Sequence, residues 1–191
     1  MNMPSLPPSE PVPSTYDNAT VAFHWLTALL VVVLFVMAQV WEAMPSGTPM
    51  RKSLQHLHVS LGLLLTALLV LRGAWRATRG RRLPPASRGP MQLAAKGVHY
   101  ALYLLLAAQI VLGFLFRWAQ GEPFTFFGWF AVPPLVSLTR DQRHFFGDIH
   151  NLLAWVIIVL AAVHALAALF HHYVLRDGVL RRMRARGANR P

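Results

Sequence analysis

Residues 149–175 read IHNLLAWVIIVLAAVHALAALFHHYVL, a run without a single Asp, Glu, Lys or Arg. An uncharged apolar run of this length exceeds the roughly 18 residues that mark a membrane-spanning helix. At about 1.5 Å per residue it crosses a hydrocarbon core of about 30 Å with length to spare. Within the run stand His150 and His164, fourteen positions apart. At about 100° per residue, fourteen steps fall about 40° short of four full turns. Both imidazoles therefore leave the helix on nearly the same face, at depths about 21 Å apart. Polar side chains at membrane depth are costly and usually face a partner, a cavity or a cofactor. The segment thus predicts a spanning helix with two polar stations along it.

Three further uncharged stretches, Asn18–Trp41, Ser53–Leu71 and Gly97–Phe116, repeat the pattern. Together they predict an all-α, integral membrane four-helix bundle with spans at about 18–41, 53–75, 96–118 and 148–174, within one domain over residues 16–175. Asp17 or Asn18 is placed to cap the first helix. Composition agrees, since 55% of the 191 residues are hydrophobic and 13% charged, against roughly 25% charged in soluble domains. An even number of spans puts both termini on one side.

The net charge of +11 does not point to nucleic acid, because the basic residues cluster at the ends of apolar segments rather than among recognition elements. Arg72, Arg76, Arg79, Arg81, Arg82, Arg88 and Lys96 lie between the second and third spans, and Arg176, Arg181, Arg182, Arg184, Arg186 and Arg190 follow the fourth. These thirteen of eighteen basic residues assign both termini to the cytoplasm by the positive-inside rule. The Pro- and Ser-rich residues 1–15 are expected to be a disordered cytoplasmic tail, and residues 176–191 a basic one. Arg51, Lys52, Arg117, Arg140 and Arg143 are left for the opposite, periplasmic side. The loop Ala119–Arg143 concentrates Phe124, Phe126, Phe127, Trp129 and Phe130, which suits an interfacial aromatic belt or a lid over a site. Cysteine is absent, which excludes disulfides, thiolate metal sites and covalent haem attachment.

Four histidines fall at matched depths. His24 lies about two turns inside the cytoplasmic start of the first span, and His58 one to two turns inside the outer start of the second. His150 is then level with His58, and His164 lies on the side of His24. Topology and spacing alone therefore give the pairs His58 with His150 and His24 with His164. Haem iron takes two axial imidazoles, and a macrocycle slotted between helices fills a bundle core. A transported-metal site is expected to add carboxylates, and the four uncharged stretches hold none. His171 falls about 20° further round the face of His164, and His99 enters the third span from the same side. Both could contact a haem propionate or a quinone. His56, His144 and His172 read as interfacial.

The segments Phe23-His24-Trp25-Leu26, His58-Val59-Ser60-Leu61-Gly62, His150-Asn151 and His164 with His171-His172-Tyr173 resemble the bacterial cytochrome b561 family. The tail Asp177-Gly178-Val179-Leu180-Arg181-Arg182-Met183 is similar to that family's closing motif. The resemblance covers nearly all of the chain after Tyr16. It implies a multi-pass protein of the bacterial inner membrane with two haem b groups, ligated at His24, His58, His150 and His164. It also implies electron transfer to the quinone pool, and looks most like the superoxide oxidase type, in which periplasmic superoxide is oxidised and ubiquinone reduced. A basic outer rim of Arg51, Lys52, Arg140 and Arg143 would steer the superoxide anion. Arg72, Arg76, His99 and His171 would suit a propionate or quinone on the inner side, and Trp129 with its neighbours an outer quinone pocket.

Two other readings stay open at the level of sequence. One is an electron-transfer subunit in the same fold, fed by another periplasmic enzyme or cytochrome. The other is a non-redox transporter or structural membrane protein. Four continuous apolar runs fit the latter poorly, since transporters show more spans and broken helices.

Overall fold

The computed structural model describes residues 15–86, 89–121 and 123–184. All but Thr15 of the expected disordered tail over residues 1–15, the basic residues Arg88, Arg186 and Arg190, and the rest of the chain end lie outside the described residues. Four long helices dominate, α1 (Asn18–Glu42), α2 (Pro49–Thr78), α3 (Pro90–Trp118) and α4 (Arg140–Phe170). Each is long and apolar enough to cross a membrane.

Caps and prolines set where the helices start, so all but the first begin well before their uncharged stretches. The Asp17 carboxylate accepts the Thr20 N–H at 2.9 Å and the Thr20 hydroxyl at 2.7 Å. Thr48 caps α2 ahead of Pro49, and Pro90 opens α3. Proline suits a first turn, because its missing N–H would have had no partner there. Thr139 and Gln142 form a reciprocal capping box on α4, which satisfies two otherwise orphaned donors. At its far end α4 gives way after Phe170 to a π-helical turn, His171–Leu175, closed by Arg176 in the left-handed region at φ 52°.

α1 packs along α2 and α3 along α4, whereas the two helical hairpins touch each other only sparsely. Val21, Leu34, Leu65, Leu106 and Ile157 are buried, while Leu29, Val36, Leu104, Val111, Leu152 and Val159 point outward and are exposed. So large an apolar exterior would be untenable in water and suits acyl chains.

Both described chain ends meet at one end of the bundle, the terminal end. There Asp17 also accepts the Trp75 indole N–H at 2.9 Å and the Arg81 backbone N–H at 3.0 Å. Burial alone would raise the pKa of this carboxyl. The hydrogen bonds from Arg81, Thr20 and Trp75 outweigh it and hold Asp17 well below the usual carboxylate range. The Tyr16 N–H donates to the Arg182 carbonyl at 3.0 Å and the Trp25 indole to Met183 at 3.1 Å, so the closing motif lies over the start of α1.

At the opposite, loop end, the aromatic run folds as an antiparallel hairpin, β1 (Phe124–Phe126) with β2 (Phe130–Val132), in which Phe124 faces Val132 and Phe126 faces Phe130. The Phe126 and Phe130 rings stack at 5.3 Å. Phe124 is 3% exposed and meets Phe114 of α3 at 5.6 Å. The turn runs through Phe127 and Gly128, both at positive φ.

Candidate cofactor site

The four helix-borne histidines meet in two pairs. His58 of α2 faces His150 of α4 with ring centroids 6.5 Å apart and planes at 72°. His24 of α1 faces His164 of α4 at 6.4 Å and 68°. Two imidazoles bound to one ion from opposite sides, through metal–nitrogen bonds of about 2 Å, stand about 6 Å apart between centroids. Both separations meet that requirement. Each pair also bridges the seam where the two helical hairpins touch only sparsely.

Nδ1 of His58 and Nδ1 of His150 are buried, and Nδ1 of His150 lies on the side of Gly113 in α3 rather than on the side of His58. Backbone carbonyls of Leu34 and Gln109 stand beside these two rings, the kind of acceptor that orients an imidazole whose other nitrogen faces a metal. The Trp41 ring meets His58 edge-on at 4.9 Å. Gln109 donates from Nε2 to the His150 carbonyl at 3.0 Å, which ties α3 to α4 at the level of that pair. Gly113 leaves room for the His150 ring, since a Cβ there would lie 3.2 Å from Cε1.

Around His24 and His164 the structure gathers part of the expected second set. The His99 ring lies 5.2 Å from that of His164, so the His24, His164 and His99 imidazoles form one cluster. Arg72 lies over the Tyr103 ring at 5.0 Å and is close enough to His24, His99 and His164 to act on them electrostatically. Arg76 lies over Tyr16 at 5.7 Å. His171 is hydrogen-bonded through Nδ1 to the Asp177 carboxylate, so that nitrogen is engaged. The bond from His171 is one reason why the pKa of Asp177 is lowered despite the opposing effect of burial.

The basic residues of the loop end are not equivalent. Arg51 donates to the Met44 carbonyl at 2.7 Å and pairs with Glu42 at 3.2 Å, so its charge is partly neutralised. Lys52, Arg140 and Arg143 are exposed. Trp129 is 84% exposed at the hairpin tip. Sequence reasoning missed the supporting residues Gly113, Gln109 and Trp41, because their contacts run between helices and no local pattern encodes them.

A four-helix membrane bundle with two facing histidine pairs at different depths defines a class, the membrane cytochromes of b type. Residues 15–185 match the family model for prokaryotic cytochrome b561, and the chain belongs to that family. It is 36% identical over 172 residues to cytochrome b561 homolog 2 of Escherichia coli, an alignment covering 90% of this chain and 92% of that protein. It is 30% identical over 172 residues to cytochrome b562 of Cereibacter sphaeroides, covering 88% and 94%. It is also 30% identical over 170 residues to the probable superoxide oxidase CybB of Yersinia pestis, again covering 88% and 94%. The protein is thus a membrane electron-transfer protein of a haem b family.

Proposed function

We propose that the chain holds two haem b groups, one between His58 and His150 and one between His24 and His164, and carries electrons across the bilayer from periplasmic superoxide to ubiquinone. The observation that carries the reading is the pair of centroid separations, 6.5 and 6.4 Å, at two levels of one bundle. Bound haem supplies the one-electron redox chemistry that the side chains of this cysteine-free chain lack.

The residues contribute holding, shielding and steering. The four imidazoles fix ligand orientation from rigid helices, and the lipid-facing Leu and Val surfaces keep the centres in a medium of low dielectric. At the loop end Lys52, Arg140 and Arg143 present positive charge to an approaching anion. With that end periplasmic and the thirteen basic residues cytoplasmic, the chain follows the positive-inside rule. At the terminal end Arg72 and His99 offer donors to a propionate or a quinone carbonyl beside the His24–His164 pair. Its likeness to the probable superoxide oxidase of Yersinia pestis favours superoxide over a protein donor.

Single replacements test the ligand set. His58→Ala and His150→Ala should each leave one haem per protein, and His24→Ala and His164→Ala should each leave the other, as read by haem content and reduced-minus-oxidised spectra. Two haems retained in all four variants would overturn the assignment. Failure of superoxide to reduce the parent protein would turn the reading to an electron-transfer subunit served by another donor.

A further inference from the structure

Ser60 lies two positions after His58 on α2, about 200° further round the helix. The imidazole therefore faces the bundle while the hydroxyl faces the hairpin. Ser60 is 3% exposed. Its Oγ accepts the Phe127 N–H at 3.0 Å and lies 3.2 Å from both the Thr125 carbonyl and the His56 carbonyl, between which its single proton is shared. A mid-helix serine ordinarily bonds only the carbonyl one turn back. This one also serves two backbone groups of a segment more than sixty residues downstream.

Two features of the hairpin explain why it needs such a partner. Ser60 lies seven residues, about 10 Å, inside the uncharged stretch that begins at Ser53. Non-helical backbone at that depth is tolerated only where protein satisfies its N–H and C=O groups, and Ser60 does this for Phe127 and Thr125. Phe127 itself sits at φ 48°, a conformation that costs an aromatic residue energy and persists only when its surroundings enforce it. On its other side the hairpin is held through Phe124 against Phe114 of α3. α2 and α3 touch each other only sparsely, so the hairpin spans their gap at the level of His58.

We propose that Ser60 is a positioning residue for the His58–His150 centre: its hydroxyl latches the 124–132 hairpin across the α2–α3 gap and keeps water from that centre. The inference rests on the reading of His58 and His150 as haem ligands. Loss of the latch frees the hairpin and admits water. Water stabilises the more highly charged oxidised form and so lowers the potential of that centre alone.

The test uses the full-length, haem-loaded protein in lipid nanodiscs, comparing the parent with Ser60→Ala and with Ser60→Thr, which keeps the hydroxyl. Hydrogen–deuterium exchange of peptides covering residues 124–132 and a potentiometric titration are measured on each. Ser60→Ala should keep two haems, exchange at least about tenfold faster in the hairpin and show one lowered potential with the other unmoved, while Ser60→Thr stays close to the parent. Unchanged exchange, or an equal shift of both potentials, in a Ser60→Ala protein with two haems would overturn the latch. Should Ser60→Ala fail to assemble, Ser60→Cys, a similar size with a weak hydrogen-bonding group, takes its place in both measurements, and the same two results would support or overturn the latch. A parent protein without two haems would instead defeat the ligand assignment, and the hairpin exchange would then still decide the latch.

Discussion

Gly113 of α3 faces the edge of the His150 ring so closely that a methyl group there would stand 3.2 Å from Cε1 and 3.7 Å from Nδ1. The glycine is therefore part of how the imidazole is aimed. Gly113→Ala should force the ring aside or spread α3 from α4, an overpacking worth about 1–3 kcal/mol. Haem retention at that centre should weaken by about one to two orders of magnitude, measured as the rate of haem loss to an excess of a haem-scavenging protein. The second haem should be lost at the parental rate.

Asp17 supports a prediction at the terminal end. Its carboxylate receives Thr20, Trp75 and Arg81, so Asp17→Ala should strip α1 of its cap and leave donors of two other segments unpaired. A loss of about 1–3 kcal/mol follows, read as a lowered unfolding midpoint in detergent.

The same carboxyl gives the sign of an acid effect. Its folded pKa is depressed, so the stability it contributes is fully present above the unfolded value of about 4 and is lost as the pH falls from there through the folded value. The parent should lose stability below pH 4 more steeply than Asp17→Ala. Thermal unfolding midpoints from neutral pH to pH 3 would check this.

Electrostatic guidance separates the basic residues of the loop end. Arg140 and Arg143 are exposed, whereas Arg51 is paired with Glu42. Replacing Arg140 and Arg143 together with Gln should slow haem reduction by superoxide by roughly two- to tenfold at low salt. Replacing Arg51 and Lys52 should slow it less. The difference should shrink as the Debye length falls towards about 8 Å at physiological salt. Stopped-flow absorbance decides it, and equal rates in parent and Arg140/Arg143 variant would reject the guidance.

The orientation is equally open to measurement. Reporter fusions after Pro191 should be cytoplasmic and fusions within residues 119–139 periplasmic. A periplasmic C-terminus would reverse the assignment of the two histidine pairs to inner and outer sides.

Much of this architecture is legible in the chain because it is periodic and local. Uncharged length marks the four helices. The fourteen-residue step from His150 to His164, read with the alternation of helix direction, gives both pairs that the structure brings together at 6.5 and 6.4 Å. Asp17 is recognisable as a cap because its partner Thr20 is three residues away. Its bonds to Trp75 and Arg81 are not recognisable, since nothing local encodes contacts some sixty residues distant. The hairpin escapes for the same reason. Its strands are three residues long, too short for alternation to stand out among five aromatic residues, and its anchor is a serine on another helix. The π-helical turn at His171–Leu175 has the same apolar composition as the α-helix before it, so hydropathy passes over the change.

The sparse contact between the α1/α2 half and the α3/α4 half also bears on biogenesis. Each half is an antiparallel pair that can leave the insertion machinery as a unit, and along their length the halves meet chiefly at the histidine pairs, with the Ser60–hairpin bonds at one end and the closing motif over α1 at the other. With haem as the proposed bridge between the histidine pairs, an apoprotein made faster than its cofactor would persist as two halves held only at their ends, exposed to membrane quality-control proteases. The cellular level of the protein would then follow the supply of haem and iron even at constant transcription.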